Sequence, residues 1–147
     1  MTYLDSSALI KLFVTERGSA FVQRLVARDL PIATAKIAYV EVYAGLSRKR
    51  RDGDLPDLPY ARACGEFERE WQAYVRVDLR DEIVWLARDL VRRHPLRGFD
   101  AIHLATALSL RERFREEVTL AAADERLLQT SRAEGVIPLH VEEASGE

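Results

Sequence analysis

The sequence predicts an α/β fold, a three-layer α/β/α sandwich with a central parallel sheet. Short apolar runs typical of buried strands alternate along the chain with longer amphipathic stretches typical of helices. Parallel strands joined through helices need right-handed crossovers, which leave helices on both faces of one sheet. The chain has 147 residues, 48% of them hydrophobic, which is enough for one sizeable core. We therefore expect a single domain over residues 1–147.

The first third of the chain predicts two strands and two helices, followed by one ambiguous stretch. "MTYL" is strand-like, and "DSSALIKLFV" has an aspartate and serines suited to an N-cap ahead of a helical pattern. "GSAFVQRLVARD" predicts a second helix and "LPIAT" a second strand. "IAYVEVYAGL" at residues 37–46 is ambiguous, because its valines, isoleucine and tyrosines favour a strand whereas its unbroken length suits a buried helix.

The remainder begins with the clearest loop, "DGDLPDLPY" at residues 52–60, which contains two prolines and a glycine. After it, helical and strand-like patterns alternate to the end of the chain, with a break at "HPLRG". The predicted helices cover residues 61–72, 80–93, 99–114 and 124–135, and the predicted strands cover residues 74–77, 118–123 and 136–141.

Net charge and cysteine content limit the possible functions. The 22 basic residues nearly balance the 24 acidic ones, so any attraction to nucleic acid must come from local clusters. Cys64 is the only cysteine, which excludes an internal disulfide and a zinc knuckle and fits a reducing cytoplasm. The acid at position 5 and the lack of any apolar run of 18 residues lead us to expect neither a signal peptide nor a membrane span.

Three aspartates stand at predicted strand ends or helix starts. Asp5 follows "MTYL", Asp124 follows the strand at 118–123, and Asp100 opens "AIHLATAL". Ligands of parallel sheets bind at the carboxyl ends of strands, so we expect these side chains to gather at one edge. The alternative is that each aspartate caps a helix, which stabilises a helix by about 1 kcal/mol. Capping is less favoured for Asp100. The helix that follows has alanines and leucines on every side, so it should be buried nearly all round, and a polar side chain on it is expected to have a specific role.

Glu41 is a lone carboxylate inside the apolar stretch at residues 37–46. Burying an unpaired carboxylate is costly, so Glu41 either reaches water or has a partner. A salt bridge to Lys36 or Arg48 is one interpretation. Taken together with the three aspartates, Glu41 suggests another, because neighbouring carboxylates repel unless a cation lies among them. Hard oxygen ligands suit Mg²⁺ or Mn²⁺, which can activate water for phosphodiester hydrolysis.

Four segments, "YLDSSALIKLF", "AYVEVYAGL", "GFDAIHLATAL" and "AAADERLL", resemble the PIN-domain ribonucleases, above all the VapC-type toxins of bacterial toxin-antitoxin pairs. The resemblance spans nearly the whole chain and implies a PIN-like fold with Glu41 on a helix. It also implies that Asp5, Glu41, Asp100 and Asp124 are the catalytic acids and metal ligands. Ser7 matches the small polar residue that often helps to hold the site.

The resemblance implies a specific activity and specific partners. The activity is that of an Mg²⁺- or Mn²⁺-dependent endoribonuclease, which leaves a 3′-hydroxyl and a 5′-phosphate and arrests growth when it acts freely. The partners are a small VapB-like antitoxin encoded alongside and a second copy of the chain in a homodimer. One position departs from the family. Ala122 stands where the family often has a threonine or serine, so a hydroxyl that would orient Asp124 or a metal-bound water is missing.

Two other functions are alternatives. A haloacid-dehalogenase-like phosphatase also starts with an aspartate after its first strand, but its chemistry needs a second acid two residues later, where this chain has Ser7. A catalytically silent PIN-like module that binds RNA or acts as a scaffold is compatible with Ala122, although the intact acids argue against it.

The remaining polar residues allow two interpretations each. His103, one helical turn after Asp100, is interpreted as a packing or supporting residue, because a magnesium site prefers oxygen; a metal ligand or general base is the alternative. The basic clusters at residues 48–51 and at Arg92, Arg93 and Arg97 are typical of solvated helix ends, and contact with phosphate is the alternative.

Overall fold

The computed structural model describes residues 1–28 and 31–143, and this part of the chain forms five strands and seven α-helices. In chain order they are β1 (Thr2–Leu4), α1 (Ser6–Leu9) with a 3₁₀ turn (Ile10–Leu12), α2 (Ser19–Arg28), β2 (Ile32–Ala35), α3 (Ile37–Arg51), α4 (Asp57–Trp71), β3 (Val75–Val77), α5 (Asp81–Arg93), α6 (Gly98–Phe114), β4 (Thr119–Ala122), α7 (Glu125–Ala133) and β5 (Ile137–His140). Residues 29 and 30, which the sequence assigns to a helix end and a strand start, lie outside the described residues.

The five strands form one parallel sheet in the order β3-β2-β1-β4-β5. Successive residues of β1 point to opposite faces, as expected for a strand. Tyr3 joins an apolar cluster with residues of α5, α6 and α7, whereas Leu4 joins a second cluster with residues of α1, α3 and α4. Helices therefore cover both faces of the sheet, and the predicted α/β fold with a central parallel sheet is confirmed.

The structure settles the ambiguous stretch and corrects one loop. Residues 37–46 belong to α3, so the helical interpretation of "IAYVEVYAGL" is correct. The predicted loop at 52–60 is wrong from Asp57 onward, because α4 begins there. Pro56 is the N-cap of α4 and Pro59 lies in its first turn, where helical N–H groups have no partner within the helix. The prolines therefore start a helix instead of extending a loop.

The order of the strands brings two predicted site segments together. β1 and β4 are neighbours, with Leu4 opposite Ala121, and the Asp5 N–H donates to the Ala121 carbonyl at 3.2 Å. The segments that begin at Asp5 and Asp124 therefore leave the same edge of the sheet. Among the described residues, no helix is both long and apolar enough to span a membrane.

Candidate active site

A cavity of about 920 Å³ opens at this edge of the sheet, and all four predicted acids line it. Asp5 follows β1, Glu41 is on α3, Asp100 is in the first turn of α6, and Asp124 follows β4. Segments far apart in sequence thus contribute to one concave surface. The described residues that line it are Asp5, Ser6, Ser7, Glu41, Ala44, Gly45, Arg48, Val84, Ala87, Arg88, Val91, Arg97, Gly98, Phe99, Asp100, Ile102 and Asp124.

Asp5 is the most deeply placed of these acids, with 3% of its surface exposed. Its Oδ1 accepts from the Ala8 N–H at 3.0 Å, which caps α1, and from the Ser7 hydroxyl at 2.6 Å. Neither donor reaches Oδ2. Burial raises the pKa of the Asp5 carboxyl, while the His103 ring and these two hydrogen bonds act in the opposite direction.

Ser7 connects the two strand ends through its hydroxyl. Besides donating to Asp5, Ser7 Oγ accepts from the Ala123 N–H at 3.0 Å, just beyond β4. Ala122, the last residue of β4, is fully buried. A polar link between Asp5 and the end of β4 is therefore present, although position 122 has no hydroxyl.

Capping and cavity placement coincide at two of the three aspartates. Asp124 caps α7 by accepting from the Leu127 N–H at 2.8 Å, again through Oδ1, so the capping interpretation is correct for both Asp5 and Asp124. It is wrong for Asp100, because Arg97 is the N-cap of α6 and makes no side-chain cap bond. The Asp100 side chain lines the cavity without serving as a helix cap.

The surroundings of the Asp100 carboxyl in the cavity raise its pKa. Burial, together with the charges of Asp124 and Asp5, raises its pKa to about 6, against the weaker opposing effects of His103 and Arg97. Carboxylates that share a confined space disfavour one another's ionisation. Asp100 is therefore an acid whose ionised form would gain from a nearby cation.

Glu41 has a protein partner that the sequence did not suggest. Its Oε1 lies 2.7 Å from Nε2 of His103. The salt bridges considered with Lys36 or Arg48 are not formed: Lys36 pairs with Asp78 at 2.5 Å, and among the described ion pairs Glu41 has His103 as its partner and not Arg48, although both Glu41 and Arg48 line the cavity. No local sequence signal links positions 41 and 103, which come together only in the folded chain, where α3 and α6 belong to apolar clusters on opposite faces of the sheet.

The basic clusters divide between the cavity and the surface. Arg48 and Arg97 line the cavity, as does Arg88, which belongs to neither basic cluster of the sequence. Other members of the clusters pair elsewhere, each at 2.8 Å: Lys49 with Glu16, Arg50 with Asp57, and Arg93 with Glu134. The helix-end interpretation therefore suits most of these cations, while Arg48 and Arg97 are placed to meet a ligand in the cavity.

The cavity residues fit a hard divalent cation. The four acids offer only oxygen donors, which Mg²⁺ and Mn²⁺ prefer, and the charges of Asp124 and Asp5 add to the effect of burial in raising the pKa of Asp100. In the described residues, no three of these acids bring one oxygen each within 4.8 Å of one another. Direct contact of one ion with three of these acids would therefore need side-chain movement or bridging waters.

A second group, Glu125, His140 and Glu143, does bring its ligand atoms within 4.8 Å. Nδ1 of His140 accepts from the N–H groups of Glu142 and Glu143, at 3.3 and 3.2 Å, so a neutral ring carries its proton on Nε2. Nε2 is the atom that faces Glu125 and Glu143, at 3.9 Å each. A protonated nitrogen cannot bind a metal, so hydrogen bonding and charge account for this group.

A model of the PIN domain family matches residues 2–133 of the chain. Ribonuclease VapC45 and Ribonuclease VapC49 of Mycobacterium tuberculosis are each 35% identical to the chain over 135 residues, 92% of this chain and 92% of each relative. Ribonuclease VapC46 of the same species is 36% identical over 108 residues, 74% of this chain and 75% of that relative.

Solved structures share the fold at low sequence identity. FitAcB from Neisseria gonorrhoeae superposes with a TM-score of 0.72 and 11% identity over 96% of this chain and 98% of that one. VapC20 of Mycobacterium tuberculosis, described as a Sarcin-Ricin loop cleaving toxin, gives a TM-score of 0.65 and 15% identity over 93% of this chain and 97% of that one. A toxin-antitoxin complex from Klebsiella pneumoniae gives a TM-score of 0.63 and 22% identity over 84% of this chain and 87% of that one.

Proposed function

Because this chain belongs to the PIN domain family, and within it to the VapC type, we propose that it is a divalent-metal-dependent endoribonuclease and the toxin of a toxin-antitoxin pair. The observation that carries the proposal is the cavity, in which four carboxylates from separate segments meet three arginines. An acid cluster bordered by cations suits a substrate that is itself a phosphate chain bound next to a cation.

Asp5, Glu41, Asp100 and Asp124 are the residues that would hold Mg²⁺ or Mn²⁺. When bound, such an ion activates water and stabilises the charge that develops at a phosphodiester. The chain itself contributes orientation: Ser7 and the Ala8 N–H fix one oxygen of Asp5, and the Leu127 N–H fixes one oxygen of Asp124. The second oxygen of each is left for the cavity.

The arginines complement the acids on the substrate side. Arg48, Arg88 and Arg97 come from α3, α5 and the residue before α6, so they border the cavity from three elements. Phosphate contacts of this kind position an RNA chain without reading its bases. The open cavity suits single-stranded or looped RNA, the form in which a protein can reach individual phosphates and bases.

The partners follow from the family. We propose RNA as the substrate, a small VapB-like antitoxin as the inhibitor, a homodimer as the assembly, the cytoplasm as the location and one PIN domain over residues 1–147. The family match over residues 2–133 and the similarity to a toxin-antitoxin complex support the domain and the antitoxin. Size-exclusion chromatography with light scattering tests the homodimer, and co-expression with the product of the adjacent gene tests the antitoxin.

The test of the activity compares wild type with Asp5→Asn, which removes a charge at nearly constant volume. We expect purified wild type to cleave RNA in Mg²⁺ or Mn²⁺ and to slow growth on free expression, and Asp5→Asn to do neither. The alternative, a silent RNA-binding or scaffolding PIN module, predicts that both proteins bind RNA and that neither cleaves it. Equal effects of both proteins on growth would contradict the toxin assignment even if the nuclease assignment stood.

A further inference from the structure

We infer that His103 is a positioning residue that fixes the Glu41 carboxylate for cation binding, and that Tyr3 fixes His103 in turn. The three side chains form one line of hydrogen bonds from the centre of the sheet to the cavity. The Tyr3 hydroxyl lies 2.6 Å from His103 Nδ1, and His103 Nε2 lies 2.7 Å from Glu41 Oε1. This inference rests on the proposed function, because it assumes that Glu41 holds a cation.

Both inner members of this line are held rigidly. Tyr3 is fully buried on the central strand β1, and His103 is 1% exposed on α6. Their rings also pack edge to face, with centroids 5.8 Å apart and an angle of 70° between the planes. A carboxylate bonded to such a ring adopts a defined orientation, whereas a free glutamate side chain would sample many rotamers.

The direction of each hydrogen bond follows from the donors available. An ionised Glu41 carboxylate can only accept, so Nε2 of His103 carries a proton and donates it. In a neutral ring Nδ1 is then an acceptor, which the Tyr3 hydroxyl satisfies as donor. Both ring nitrogens thus have protein partners, so His103 acts through Glu41 and does not bind the cation itself.

The hydrogen bond from His103 holds one oxygen of Glu41, as main-chain N–H groups hold one oxygen each of Asp5 and Asp124. Each of these three acids has one oxygen held by a donor in the protein: Oδ1 of Asp5, Oδ1 of Asp124 and Oε1 of Glu41. Glu41 has the longest side chain of the three and lies in the second turn of α3, and among the described residues its hydrogen-bond partner is a side chain instead of a main-chain N–H. His103 therefore supplies the donor that a helix end supplies elsewhere in the site.

Two amide substitutions of His103 distinguish the contribution of its Nε2 from that of its Nδ1. The amide of His103→Gln reaches the position of Nε2 and keeps a donor to Glu41, whereas the amide of His103→Asn reaches only the position of Nδ1, beside Tyr3. Isothermal titration calorimetry of the purified full chain gives the Mn²⁺ affinity of each. We expect His103→Asn to weaken it about 10-fold, and His103→Gln to stay within about 3-fold of wild type.

Two controls separate positioning from general destabilisation. Ser131→Ala removes a buried hydroxyl that bonds its own helix, at Leu127 O, and should leave Mn²⁺ affinity unchanged. In a Glu41→Gln background, His103→Asn should cause no further loss of affinity, because the carboxylate that it positions is gone. Thermal melts confirm that each variant is folded at the temperature of the Mn²⁺ titration.

Equal Mn²⁺ affinities of the Asn and Gln variants would overturn the inference, as would a further loss in the Glu41→Gln background. A wild-type chain that binds no Mn²⁺ would overturn it as well. A wild type that binds Mn²⁺ but cleaves no RNA would contradict the proposed nuclease and leave the positioning role of His103 standing, provided that the Asn and Gln variants differ as expected.

Discussion

The Ser7 hydroxyl lies 2.6 Å from Oδ1 of Asp5 and accepts from the main chain just beyond β4, so one side chain ties the first acid to the neighbouring strand. We expect Ser7→Ala to lower RNA cleavage about 10-fold by loosening Asp5, a smaller loss than Asp5→Asn causes. Initial rates at saturating Mg²⁺ test this. The matched control is Ser6→Ala, which removes the adjacent hydroxyl, also at the cavity; an equal loss in both variants would contradict the specific role of Ser7.

Asp100 should destabilise the protein at neutral pH in the absence of a cation. Its pKa is raised to about 6, whereas an unfolded aspartate titrates near 4, so between these values the folded state binds more protons and stability falls as pH rises. We expect Asp100→Asn to melt about 3 °C higher than wild type in EDTA at pH 7.5, and this advantage to shrink toward pH 4.

Added Mg²⁺ should reverse the comparison, because a ligand stabilises only the state that binds it and wild type has the complete set of acids. In the absence of metal, one effect opposes the stability gain expected for Asp100→Asn: the favourable interaction of the Asp100 charge with the start of α6, about 0.3–1 kcal/mol. Differential scanning calorimetry of wild type and Asp100→Asn in EDTA shows whether this interaction or the repulsion among the acids is larger. If Asp100→Asn melts lower than wild type in EDTA at pH 7.5, the charge at the helix start outweighs the repulsion among the acids.

Asp124 has two separable roles, as a cap of α7 and as a proposed metal ligand. Asparagine caps helices as well as aspartate does, so Asp124→Asn should keep the cap and, because it also removes the repulsion with Asp100, leave the metal-free protein at least as stable as wild type, while cleavage falls about 100-fold. Asp124→Ala should lose both the activity and about 1 kcal/mol of stability. Urea unfolding in EDTA provides the measurement, and equal stability of the Asn and Ala variants would show that the cap contributes nothing.

Arg48 and Arg51 belong to the same basic run but differ in their surroundings. Both side chains are exposed near the end of α3, but Arg48 lines the cavity and Arg51 does not. We expect Arg48→Gln to weaken RNA binding and to reduce the slope of log affinity against log salt by about 0.7–0.9, the contribution of one phosphate contact. Binding is measured in the Asp5→Asn background so that the RNA stays intact. Arg51→Gln is the control, and identical salt slopes for the two variants would contradict the assignment.

The sequence predicted most of the fold because the signals for the starts and ends of its helices and strands lie in neighbouring residues. Apolar runs and amphipathic stretches identify most strands and helices. The pattern left α3 open between a strand and a helix, and it missed the start of α4, since prolines in a first helical turn resemble prolines in a loop. The sequence also predicted that Asp5, Asp100 and Asp124 would gather at one edge, and they line one cavity. Their chemical role stays a prediction.

The partner of Glu41 could not be predicted in the same way. The apolar surroundings of Glu41 indicate that a partner is needed, but His103 is 62 residues away and meets it only through the packing of α6 against the sheet. The pair also changes an expectation. By sequence, Glu41→Gln and Asp100→Asn relieve the same repulsion, whereas the structure shows that Glu41→Gln gives up a carboxylate bond to His103 and should not gain stability as Asp100→Asn does.

The central claim, that these carboxylates hold the cation that cleaves RNA, is tested most directly by one titration. Purified wild type is stripped with EDTA, checked for contaminating nuclease by a parallel Asp5→Asn preparation, and then supplied with increasing Mg²⁺ or Mn²⁺ while cleavage of an RNA substrate is followed. We predict no cleavage in EDTA, saturable recovery with the metal, and no recovery in Asp5→Asn. Undiminished cleavage by wild type in EDTA, with the Asp5→Asn preparation inactive, would contradict the metal mechanism.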